Sequence, residues 1–152
     1  MKERLYIAYG SNLNLEQMAV RCPTAHIIGT GKLQDWKLKF RGSQTGAYAT
    51  IEKCIGSVVP VAVWSIGQRD EFSLDIYEGY PTFYYKSIIP VTMENGKIHK
   101  AMVYIMNKKA EPGVPSLRYI RTIEKGYRKN HLDLSYLIDA LQDNSQEMSF
   151  YL

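Results

Sequence analysis

LYIAYGSNLNLEQM, residues 5 to 18, is the stretch on which the reading of this chain turns. Leu5, Tyr6, Ile7, Ala8 and Tyr9 form an apolar, partly aromatic run of strand length. Gly10-Ser11-Asn12 then interrupts it, and Asn12 or Asn14 is placed to cap a helix carrying Leu15, Met18 and Ala19. A glycine at the end of a buried strand lets a ligand approach the backbone without meeting a side chain. The amides that follow have no partner until a helix ladder begins, so they can receive an anion. The segment is therefore suited to hold a carboxylate or an oxyanion, although a strand-to-helix turn of this kind is common on its own.

Working outward, the 152 residues are enough for one domain with a full hydrophobic core, 1–152. The hydrophobic share of 45% and the charged share of 22% are those of a soluble globular protein. No apolar run approaches the ~20 residues of a membrane-spanning helix, and the N-terminal apolar run is too short for a signal peptide. A cytoplasmic protein with no membrane partner is expected. Cys22 and Cys54 lie far apart and form no metal or redox motif, so both are expected as buried, reduced thiols. The net charge of +4 is concentrated between Lys108 and Lys129, where seven basic residues face Glu111 and Glu124. No nucleic-acid motif accompanies them, which favours a solvated helix face over a nucleic-acid partner.

The remaining pattern alternates strands and a few helices. His26 to Gly29 reads as a short strand. Trp36, Leu38 and Phe40 share one face of the next, with Lys37 and Lys39 on the other. The polar loop Arg41 to Gly46 leads to Ala47–Ile51, and Pro60 to Ile66 is a buried apolar strand. Gln68 to Tyr77 changes period: Phe72 with Ile76 and Leu74 with Tyr77 predict a short helix, with Gly79 at its stop. Two strands, 83–92 and 97–106, flank the hairpin signal Asn95-Gly96. After the loop-like 108–116, Ser116 caps a helix with Leu117, Ile120, Ile123 and Tyr127 along its apolar stripe. A last helix starts near Asp133 or Ser135, and Phe150, Tyr151 and Leu152 are expected to tuck onto the body. The class is α+β, with an antiparallel or mixed sheet that can close into a barrel.

Glu78 is the acid that stands out. It ends the predicted helix, where carbonyl oxygens and the helix dipole disfavour a negative charge. The neighbouring aromatics Tyr77, Tyr80, Phe83, Tyr84 and Tyr85 add desolvation. Both effects raise a carboxyl pKa toward the range of a general acid/base. Asp75, one turn earlier, is the alternative, and local hydrogen bonding is its simpler use. His26, His99 and His131 are not at metal-ligand spacing, and Ser11 lacks a nucleophile elbow. The glycine turn also lacks the Lys-Ser/Thr of a phosphate loop.

Read together, YIAYGSNL (6–13), GKLQDWKLKF (31–40), GAYATI (46–51), VAVWSI (61–66), LDIYEGY (74–80) and VPSLRY (114–119) give a more specific picture. In these pieces the chain resembles the gamma-glutamylcyclotransferase family. The resemblance implies a small mixed β-barrel flanked by helices. It also implies an enzyme that releases 5-oxoproline from a γ-glutamyl amino acid or γ-glutamylamine, with no metal or organic cofactor. It places the family's catalytic glutamate on Glu78 and its substrate-holding turn on Tyr9, Gly10, Ser11, Asn12 and Leu13. Tyr85, seven residues after the glutamate, and Tyr104 and Tyr119 fall on the family's pocket tyrosines. The loop 41–46 departs from the family in being short, and 108–116 is a candidate lid. Two other readings stand beside the enzyme: a non-catalytic module binding a small carboxylate, and nucleic-acid binding through the 116–129 helix. The retained Glu78 argues against the first, because a buried acid would oppose a carboxylate ligand. The sequence is equally compatible with a monomer and a homodimer.

Overall fold

The computed structural model describes residues 3–43, 46–107 and 110–149. Its strands are β1 (Arg4–Ala8), β2 (His26–Ser43), β3 (Gly46–Ile66), β4 (Tyr84–Met93) and β5 (Ile98–Met106). They close a barrel in the order β1-β3-β2-β4-β5. All neighbours are antiparallel except β1 and β5, which run parallel and meet at Tyr6 and Met102. The helices are α1 (Leu15–Arg21), α2 (Gln68–Glu78), α3 (Leu117–Lys129) and α4 (Leu134–Ser149). The expected mixed barrel with flanking helices is what the chain forms.

The long β2–β3 hairpin differs from the expected series of short strands. It pairs from His26 opposite Ser65 to Ser43 opposite Gly46, with irregularities between Ile27 and Gly29 and between Gln34 and Trp36. At the second, Asp35 takes φ 65° and its carboxylate accepts the Gly56 N–H at 2.9 Å. Residues that resemble turn signals in sequence here bend continuous strands, as bulges do. Trp36, Leu38 and Phe40 point into the core as the alternation required. The Asn95-Gly96 turn also forms, with Gly96 at φ 85°.

Two helix faces are not those expected. In α2, Phe72 and Ile76 are exposed, whereas Asp70, Leu74 and Glu78, spaced at i, i+4 and i+8, point inward. Asp70 is buried because it accepts the Thr24 hydroxyl at 2.6 Å and the Gly67 N–H at 3.0 Å. In α3, Ile123 and Tyr127 are buried but Leu117 is exposed, and Arg118, Arg121, Lys125 and Arg128 form a solvated flank. α4 runs on to Ser149, tied to β2 by Lys37–Asp143 and Arg41–Glu147 pairs of 2.6 and 2.8 Å. Phe150, Tyr151 and Leu152 lie outside the described residues, as do Lys108 and Lys109 of the candidate lid. The rest of that segment is fastened down: Gly42 N–H donates to the Glu111 carbonyl and Asn144 to that of Gly113. Cys22 is buried, and burial pushes its thiol up to about 12; Cys54 is free as well but only half-buried. No helix among the described residues is long and apolar enough to cross a membrane.

Candidate active site

β1 delivers the chain to a tight turn at the barrel mouth. Ser11–Leu13 wind as a single 3-10 turn, whose first bonds are Leu13 N–H to the Gly10 carbonyl and Asn14 N–H to the Ser11 carbonyl. The Ser11 and Asn12 amides precede that ladder and have no acceptor among the described residues. Asn14 then caps α1 by accepting the Gln17 N–H at 2.9 Å. Gly10 allows a close approach: a Cβ there would stand 3.1 Å from Ala49 Cβ and 3.6 Å from the Tyr119 hydroxyl.

The turn is gripped from both sides. Asn12 donates to the Tyr6 hydroxyl at 2.9 Å, and its Oδ1 accepts Arg21 Nη1 at 2.6 Å. Arg21 also reaches Ser11 Oγ at 3.4 Å while its guanidinium lies 3.2 Å from the centre of the Tyr77 ring. Arg21 therefore links the turn to the end of α2. From the other side, α3 presses Gly126 against Leu13 so closely that a Cβ would fall 2.6 Å from the Leu13 carbonyl carbon. Asn130 donates to the Leu13 carbonyl at 2.8 Å.

Glu78 is the last residue of α2, and Gly79 ends the helix in the left-handed conformation at φ 64°. Sharing the face of Leu74, Glu78 is turned toward the turn rather than toward water. Burial pushes its carboxyl up to about 7, against the opposing pull of the Arg21 guanidinium. It stands between two cavities. One, of about 30 Å³, is lined by Tyr9, Gly10, Ser11, Asn12, Ala49 and Tyr104, with Glu78, Tyr84 and Tyr119. The other, of about 250 Å³, is lined by Tyr48, Tyr77 and Phe83, with the same Glu78, Tyr84 and Tyr119. Ala49 positions two of these walls, donating its N–H to the Tyr119 hydroxyl at 2.9 Å and accepting the Tyr84 hydroxyl at 2.7 Å. Burial holds both phenols well above their ordinary range, so they remain protonated.

A family model described as "Gamma-glutamyl cyclotransferase, AIG2-like" matches residues 6–126. The chain belongs to this family. It is 36% identical to the human gamma-glutamylcyclotransferase over 140 residues, covering 87% of this chain and 74% of the human one. The mouse gamma-glutamylcyclotransferase is 35% identical over the same shares. A solved structure of a gamma-glutamyl cyclotransferase superposes with a TM-score of 0.84 at 33% identity, covering 91% of this chain and 86% of that one.

Within this family member, the structure brings Tyr9, Gly10, Ser11, Asn12, Tyr104 and Tyr119 to the cavities beside Glu78. Leu13 is fully buried and lines neither; its part is to seat the turn against α3. Tyr85 is not brought there. Successive strand residues point oppositely, and Tyr85 lines a separate cavity of about 310 Å³ with Trp36, Arg41 and Lys53. Tyr84, its neighbour on β4, lines both cavities instead. Arg21, which ends α1 about two turns after its Asn14 cap, is the other residue that only folding brings to the site. Asp75 accepts the Tyr104 hydroxyl at 2.6 Å and the Lys86 ammonium at 2.8 Å, so it orients a wall of the site.

Proposed function

We propose that this chain is a cytoplasmic γ-glutamyl cyclotransferase that works without a bound cofactor, with Glu78 as its general acid/base. The observation that carries this reading is a carboxyl with its pKa near 7 standing between the unpaired amides of the turn and a roomy second chamber. A γ-glutamyl substrate contains its own nucleophile, the α-amine, and its own electrophile, the γ-carbonyl. Holding it folded for five-membered ring closure supplies acceleration through proximity.

Glu78 takes a proton from the α-ammonium, and the freed amine attacks the γ-carbonyl carbon. The oxygen that becomes negative is met by the Ser11 and Asn12 amides and by the phenol of Tyr119, whose oxygen already accepts from Ala49. The carbon–nitrogen bond to the leaving group breaks as Glu78 returns its proton to that nitrogen. The new ring nitrogen sheds a second proton by the same route, so 5-oxoproline keeps one N–H and the amine departs as an ammonium. Glu78 ends as it began.

The test is a panel of γ-glutamyl amino acids and γ-glutamylamines, with 5-oxoproline followed by mass. Glu78→Gln is expected to keep the fold and to lower turnover at least ~100-fold. Near-normal turnover in that variant would remove Glu78 from the mechanism. A non-catalytic carboxylate-binding module would instead release no 5-oxoproline from any member.

A further inference from the structure

The two cavities that share Glu78 differ in chemistry as well as in size. The smaller is walled by the turn, with main-chain amides and the Asn12 and Ser11 side chains. The larger is a box of rings. Tyr48 meets Phe83 and Tyr119 edge to face, at centroid distances of 6.2 and 5.4 Å, and Phe83 meets Tyr84 at 5.0 Å and 86°. Tyr84 donates its hydroxyl to Ala49 and the Tyr119 oxygen accepts from it, so the chamber is lined by ring edges together with tyrosine oxygens and the Glu78 carboxyl. Among its described lining residues Glu78 alone is ionisable below neutral pH, and none is Lys, Arg or His. The nearby cation, Arg21, lies outside this lining, on the turn side of the Tyr77 ring, where its Nη1 bonds Asn12 and Ser11.

Building on the proposed reaction, we infer that the larger chamber receives the departing amine and selects γ-glutamyl compounds whose amine carries an aromatic group and no carboxylate. An aryl group entering the box extends the edge-to-face arrangement already there. A carboxylate on the leaving group would meet Glu78 at close range, with no cation among the lining residues to offset the repulsion. As the carbon–nitrogen bond breaks, the amine becomes an ammonium, which the ring faces and the Glu78 carboxylate both favour.

Three substrates separate the possibilities: γ-glutamyl-phenethylamine, γ-glutamylphenylalanine and γ-glutamylglycine. The expected order of kcat/KM is the order given, with the first at least ~10-fold above the last. Phe83→Leu keeps apolar volume without the ring and is expected to narrow that gap by raising KM for the aryl compounds. Equal rates for all three, or a gap unchanged in Phe83→Leu, would overturn the inference. Saturation-transfer NMR on the wild-type protein supplies a readout that needs no turnover. Transfer is expected to the ring of phenethylammonium and not to glycine, and the reverse result would overturn the assignment. If phenethylammonium binds while no compound yields 5-oxoproline, the proposed reaction fails and the chamber assignment stands; if all three yield it equally, the outcome is the opposite.

Discussion

Glu78 carries its proton more tightly in the folded protein than an ordinary carboxyl does, and two expectations follow from the direction of that shift. The stability supplied by the protonated form is complete below the ordinary carboxylate range and is lost as pH rises from about 4.5 through about 7. Glu78→Gln, which is never charged, should therefore gain on the wild type over that interval, by up to ~3 kcal/mol, as read from urea unfolding at pH 5 and pH 8. The same titration should appear as the acid limb of kcat/KM, since the base must be ionised to accept a proton. Arg21→Met removes the charge that opposes the shift, so the limb should move to higher pH. KM should also rise roughly tenfold as Asn12 and Ser11 lose a charged donor. Arg21→Lys should leave the limb in place while still raising KM, and a limb unmoved in both variants would sever Arg21 from Glu78. Position 78 was legible in sequence because a glutamate before a helix-stopping glycine is conspicuous. Arg21 was not, because its meaning depends on Tyr77, a residue more than fifty positions away that only folding brings beneath it.

At the scale of elements, the instructive case is α2. Its apolar residues, Phe72, Ile76 and Tyr77, are largely outside, whereas the inward face carries two acids and one leucine. Hydrophobic periodicity located the helix and its end but pointed to the wrong face, because Asp70 is satisfied by Thr24 and Gly67, and Glu78 lines the cavities beside the turn. The β2–β3 hairpin was misjudged for a related reason: Gly29, Asp35 and Gly56 mark bends within strands, and local sequence does not separate a bulge from a turn. α3 gives the clearest prediction at this scale. Its Gly126 has backbone of residues 13 and 14 within 3 Å of where a methyl group would sit. Gly126→Ala must push α3 and the turn apart, at a cost of about 1–3 kcal/mol. Substrate affinity should fall while the pH limb set by Glu78 stays where it is; unchanged affinity would mean the turn does not depend on the helix.

For the whole molecule, the barrel is held shut at two sparse seams, β1–β5 and β2–β4. β2 and β4 pair only through Gly31 with Met93 and Lys32 with Thr92. A Cβ on Gly31 would stand 2.5 Å from the Thr92 carbonyl oxygen, which belongs to backbone and cannot swing aside. Gly31→Val should lower the melting temperature by several degrees, on the order of 1–3 kcal/mol. Activity per folded molecule should survive at low temperature, because Gly31 lines neither cavity beside Glu78. Loss of activity with the melting temperature intact would contradict that separation. The barrel itself was readable from strand spacing and the family motifs, but its parallel β1–β5 junction was not, since a single pairing of Tyr6 with Met102 leaves no periodic trace.

Leu13 is made early in synthesis and the groove around Gly126 that seats it is made late. The ribosome therefore releases every strand before the turn at the barrel mouth acquires its backing. Competence should arrive abruptly as the final third of the chain emerges, rather than growing with each strand. A fragment ending at Asn107 should retain strand signal in circular dichroism yet give no saturation of its turn by a γ-glutamyl ligand, and adding a separate peptide spanning 110–149 should restore it.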